Sequence, residues 1–100
     1  MTMKNNINYH NLLVCFRRLP HLKWKIIQER KHNRCGIFWG YDERGNYVEV
    51  IDRECGFFAR YKSHSGQILL FSDLVPGMEL SQALSQIQRL MEVLYATTSN

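Results

Sequence analysis

The sequence predicts an α+β domain in which a five-stranded antiparallel meander runs between an N-terminal helix and a C-terminal amphipathic helix packed on the sheet. Two observations carry that prediction. Three turn sequences ending in glycine, Asp42-Glu43-Arg44-Gly45, Arg53-Glu54-Cys55-Gly56 and Ser63-His64-Ser65-Gly66, recur ten or eleven residues apart between β-rich runs, the spacing of strands joined by short hairpins. On either side of this region the apolar residues change to spacings of three and four, the period of a helix.

Taken in order, residues 1–6 read as a polar, frayed start. Asn8 can cap a helix that runs to about Leu19, with Tyr9, Leu12, Leu13, Phe16 and Leu19 as its apolar stripe and Asn11, Arg17 and Arg18 outside it. Pro20 ends that helix, because the residue before a proline is pushed out of the α region. From Leu22 the period becomes two: Leu22, Trp24 and Ile26 alternate with Lys23 and Lys25 in a half-buried strand ending near Arg30.

The second strand runs from Cys35 to Tyr41, the third from Tyr47 to Ile51, the fourth from Phe57 to Lys62 and the fifth over Ile68-Leu69-Leu70-Phe71. Alternation places Glu49, Arg60 and Lys62 on a wet face opposite Val48, Val50, Phe57, Ala59 and Tyr61. The fifth strand has no polar position, so it is expected either to be central and covered on both faces or to belong to a subunit contact. Pro76-Gly77 breaks the chain before a last helix of about sixteen residues whose apolar side is Leu80, Ala83, Leu84, Ile87, Leu90, Met91 and Leu94. Residues 96–100 read as a polar, frayed tail.

The bulk numbers fit one domain over residues 1–100. The chain is 45% apolar and 22% charged, close to globular averages. No run approaches the roughly 18 apolar residues of a membrane span, and the N-terminus shows no apolar leader, so a cytoplasmic location and no membrane partner are expected. Three cysteines, Cys15, Cys35 and Cys55, form no C-x-x-C pair and read as small hydrophobes. Neither a metal nor a cofactor is expected, because four convergent ligands cannot be assembled.

The sequence has no P-loop, G-x-G-x-x-G, G-x-S-x-G or H-E-x-x-H motif. His64 sits in a polar Ser-His-Ser turn, and Asp42, Glu43, Asp52 and Glu54 fall in turns at opposite ends of the third strand. A paired-carboxylate site is therefore not expected, and neither is enzyme activity.

Two kinds of binding are expected in its place. The first is a small non-enzymatic protein-interaction module (adaptor, regulator, inhibitor or chaperone-like) that docks a protein partner or itself. Its candidate interface residues are Leu69 and Phe71 on the fifth strand and Leu84 and Met91 widening the last helix's Leu80, Ala83, Ile87, Leu90, Leu94 seam.

The alternative is nucleic-acid binding. Residues 17–34 carry seven cationic side chains and one acid, a net +6, while the rest of the chain sums to −2. Lys23, Lys25, Arg30, Lys31 and Arg34 are the candidate phosphate contacts. Trp24, Trp39, Tyr41, Tyr47, Arg60, Tyr61 and Lys62 lie on or beside the strands as candidate stacking and backbone-binding groups. Trp24 itself is expected in the core.

Overall fold

The computed structural model describes residues 7–98, with the order α1 (Ile7–Arg18), β1 (Lys23–Gln28), β2 (Gly36–Tyr41), β3 (Tyr47–Arg53), β4 (Gly56–Lys62), β5 (Ile68–Phe71) and α2 (Leu80–Thr98). The polar start predicted over residues 1–6 lies outside the described residues, as do Ser99 and Asn100. The five strands form one antiparallel sheet in sequence order, β1-β2-β3-β4-β5. The predicted α+β meander between two helices is therefore observed.

Local chemistry makes the turns. At the β2–β3 hairpin the Gly45 amide donates to the Asp42 carbonyl at 3.2 Å and the Asp42 amide to the Asn46 carbonyl at 2.9 Å, with Gly45 at φ 85°. This is a type I turn closed by a glycine bulge. Ser63 to Gln67 repeats the arrangement between β4 and β5, with Gly66 at φ 94°. The β3–β4 connection departs from the shared pattern. Arg53 pairs directly with Gly56, which leaves Glu54-Cys55 as a two-residue loop.

One face of the sheet carries the core. Trp24, Phe38, Val48, Val50, Ala59 and Tyr61 pack against Leu80, Ala83, Leu84, Ile87 and Met91 of α2 and against Cys15 and the following Leu19 from α1. α2 crosses β4 and β5, and α1 lies over β1 and β2 against α2's flank. The Trp24 indole N–H donates to the Leu19 carbonyl at 2.9 Å. Burial raises the Cys15 thiol to about 12, partly offset by a backbone hydrogen bond, so it stays protonated as a core side chain.

Three expectations are corrected here. α1 is rolled about its axis: it buries Asn8, Asn11 and Cys15 and exposes Tyr9, Leu13 and Phe16. Asn8 is not a helix cap. Its Oδ1 accepts the Arg30 amide at 2.7 Å, and the Asn11 Nδ2 donates to Asp52 Oδ2 at 2.9 Å. Buried polar groups need partners, and these two find theirs on the sheet, which holds the helix in that roll. Of the two alternatives expected for β5, its edge position excludes the central strand covered on both faces. α2 continues to Thr98, through positions expected to fray.

Candidate functional site

Three surfaces stand out once the core is removed: the β5 edge, the uncovered face of the sheet, and a polar pocket at the start of α2. The two edges of the sheet differ sharply. β1 presents Lys23 and Lys25 and has a register shift between Ile26 and Gln28, both of which discourage a further strand from pairing. β5 carries no lysine, although its pairing with β4 also shifts register, with Leu69 as the extra residue between Ile68 and Leu70. Leu69 is 41% exposed and Phe71 61%, with Ile68 exposed beside them.

The apolar surface continues beyond the strand. Leu74 and Val75 in the connector and Leu90 and Val93 on α2 are exposed, and Phe71, Leu90 and Val93 line a groove of about 350 Å³ with Asp73, Gln86 and Arg89 on its polar side. Gln86 Oε1 accepts the Asp73 amide at 2.8 Å, which pins the connector to α2 and fixes that groove. An edge strand flanked by exposed apolar side chains can accept another strand.

The second surface is the sheet face opposite the helices. The register places two cross-strand rows on it: Lys25, Trp39, Glu49, Arg60 and Phe71 in one, and Lys23, Tyr41, Tyr47, Lys62 and Ile68 in the other. Trp39 and Tyr47 rings stand 4.7 Å apart and Tyr41 and Tyr47 5.4 Å apart. Lys25 Nζ lies 5.1 Å from the Tyr41 ring centre, and Lys62 Nζ lies 5.7 Å from that of Tyr47. Glu49 is buried beneath these side chains. It accepts from Arg60 Nε at 2.7 Å and from Trp39 Nε1 at 2.8 Å, and Lys62 Nζ stands 3.7 Å away. Burial pushes the Glu49 carboxyl up, but those hydrogen bonds and the Arg60 and Lys62 charges prevail and hold it below the usual carboxylate value.

The third surface is a pocket of about 490 Å³ bordered by His10, Asn11, Arg30, Asp52, Met78 and Leu80. Its acid, Asp52, is buried and already held by Asn11 and by Arg30 Nη1 at 3.8 Å. Desolvation raises the Asp52 carboxyl, against the opposing pull of Arg30 and Asn11. The arrangement ties α1 to the sheet. Among the described residues no three His, Cys, Asp or Glu side chains gather as a metal ion would require, and no helix is long and apolar enough to cross a membrane.

The residues singled out from sequence scatter over this map. Lys23 and Lys25 reach the uncovered face, Arg30 pairs with Asp52, and Lys31 and Arg34 bridge each other in the β1–β2 turn. The five candidate phosphate contacts thus divide between the uncovered face (Lys23, Lys25) and the region of the β1–β2 turn, where Arg30 and Arg34 line one small pocket. Leu69 and Phe71 lie on the exposed edge, whereas Leu84 (0% exposed) and Met91 (4%) are core residues of this chain and present no free surface. Exposed neighbours that sequence reasoning did not put forward are Leu74, Val75 and Val93. Val93 lies one helical turn beyond Arg89 on the side of α2 read as polar, and no local signal marks it as part of an apolar surface.

Comparison with protein-family models, with curated proteins and with solved structures finds no match, and the function therefore has to be argued from these surfaces alone.

Proposed function

We propose that this chain is a non-enzymatic protein-interaction module that docks by strand addition at β5, with a second copy of itself as the occupant. The observation that supports the reading is the asymmetry of the side chains at the two edges: Lys23 and Lys25 on β1, exposed Ile68, Leu69 and Phe71 on β5. An antiparallel β5–β5 contact is self-complementary, as a two-fold dimer requires. A four-residue strand alone buries too little for a stable complex, which needs about 1,200 Å² or more. The Leu90 and Val93 row on α2 lies beside the same edge and would enlarge the contact.

Light scattering on a sizing column tests this directly. The wild-type chain is expected to run as a dimer at micromolar concentration and Leu69→Lys as a folded monomer, since a lysine on an edge strand blocks pairing. A wild-type chain that stays monomeric at high concentration would overturn the reading.

A further inference from the structure

We infer that the uncovered sheet face is a binding site for single-stranded nucleic acid, with Trp39 and Tyr41 as the base-stacking platform and Lys23, Lys25, Arg60 and Lys62 as the phosphate contacts. This surface is distinct from the β5 edge proposed above and does not depend on it.

Charge complementarity is the first argument. Across the two rows, four cations share the face with one carboxylate, Glu49, and that carboxylate is buried beneath them. Three other acids are engaged elsewhere. Asp52 is bound to α1 and Arg30, Asp42 accepts the Tyr61 hydroxyl at 2.6 Å, and Asp73 is tied to Gln86. Four cations against one carboxylate, which Arg60 and Lys62 share, leave these two rows with an excess of positive charge that fits a polyanion.

The aromatics narrow the choice of polyanion. Lys25 stands beside the Tyr41 ring, so a cation is within reach of the phosphate that would accompany a base stacked there, and Lys62 stands beside the neighbouring Tyr47 ring. Tyr47 is buried and packs beside the half-buried rings of Trp39 and Tyr41 on the same face. The Trp39 and Tyr41 rings stand 6.0 Å apart and are inclined at 76° to each other, so they offer two separate stacking surfaces and not one continuous plane. Stacked bases rise about 3.4 Å along a strand, so bases seated on both rings must part from one another. A single strand does this readily and a duplex does not. An acidic peptide would use the lysines but has no bases to stack on the rings.

The test is fluorescence anisotropy with a fluorescein-labelled twelve-nucleotide oligothymidylate and its oligouridylate counterpart. Neutralising three or four phosphates predicts an affinity that falls about twenty- to fifty-fold between 50 and 200 mM salt. Tyr41→Leu should weaken binding about five- to hundred-fold, and Lys25→Glu should weaken it too. Lys31→Glu, in the distant turn, should change it less than about two-fold, because a charge more than a Debye length away is screened. Thermal melting checks that each variant is folded, and the exposed Lys25 keeps the test decisive if Tyr41→Leu is not. Failure to bind at low salt overturns the inference, as does equal affinity for the matching duplex. Displacement by polyglutamate with no effect of Tyr41→Leu would also overturn it, by reducing the face to a general polyanion surface.

Discussion

The indole of Trp24 lies flat against Gly40, its cross-strand partner on β2. A Cβ added at Gly40 would stand 2.6 Å from Trp24 Cε2 and 2.7 Å from Cδ2. The glycine is thus the floor of the slot that admits the largest side chain in the core, and the indole is locked there by its hydrogen bond to Leu19. Gly40→Ala is expected to cost about 1–3 kcal/mol, the range for overpacking a core that cannot easily give. Trp24→Ala should cost about 3–5 kcal/mol. Urea denaturation of the two variants checks both, and a neutral Gly40→Ala would show that the indole can move aside.

Truncations along α2 should divide according to burial. Leu84 is fully buried, so Leu84→Ala is expected to cost about 2–5 kcal/mol. Leu90 belongs to the same apolar stripe in the sequence, yet it is 38% exposed at the sheet edge, and Leu90→Ala should cost less than about 1 kcal/mol. The comparison is made by thermal or urea unfolding under conditions in which the chain is monomeric. Equal costs would contradict the packing of α2.

The contrast shows what could be read from the chain alone. Strand number and hairpin positions were legible because they depend on local chemistry: Gly45 and Gly66 where the turns need positive φ, and alternation along Lys23-Trp24-Lys25. The edge position of β5 was not legible, since an unbroken apolar run looks the same in a sheet's centre as on an unprotected edge. The uncovered face was half legible. Parity put Glu49, Arg60 and Lys62 together, but the burial of Glu49 depends on the indole of Trp39 ten residues away. The basic residues were legible as a cluster in sequence, but their division between the uncovered face (Lys23, Lys25) and the β1–β2 turn depends on strand parity and register.

Glu49 should make stability depend on pH in a defined direction. Its carboxyl titrates lower in the folded chain than in the unfolded one, so its contribution is complete above the usual glutamate range and is lost as pH falls through the folded value. Glu49→Gln removes the charge that Arg60 and Lys62 surround and is expected to cost about 1–3 kcal/mol at neutral pH. The deficit should close on acidification. Asp52 has the opposite sign: its carboxyl is raised on folding, so stability declines as pH rises from the unfolded toward the folded value, and Asp52→Asn should flatten that slope. Unfolding midpoints followed from pH 3 to 7 separate the two, and a Glu49→Gln deficit that persists at low pH would assign it to packing.

The roll of α1 gives the least intuitive prediction. Hydrophobicity alone would turn Tyr9, Leu13 and Phe16 inward, but the helix buries Asn8 and Asn11 because each meets a specific partner, the Arg30 amide and the Asp52 carboxylate. Those partners lie 22 and 41 residues away, so nothing in the helix's own sequence announces them. An unsatisfied buried polar group costs about 1–3 kcal/mol. Asn11→Leu leaves Asp52 short of a donor in a site where burial already disfavours its charge, and a loss of about that size is expected despite the gain in apolar surface. Leu13→Ser, on the exposed side, should stay within about 0.5 kcal/mol. If Leu13→Ser were the costlier of the two in an unfolding titration of the monomer, the apolar stripe would be the buried one and the asparagine contacts would not set the roll.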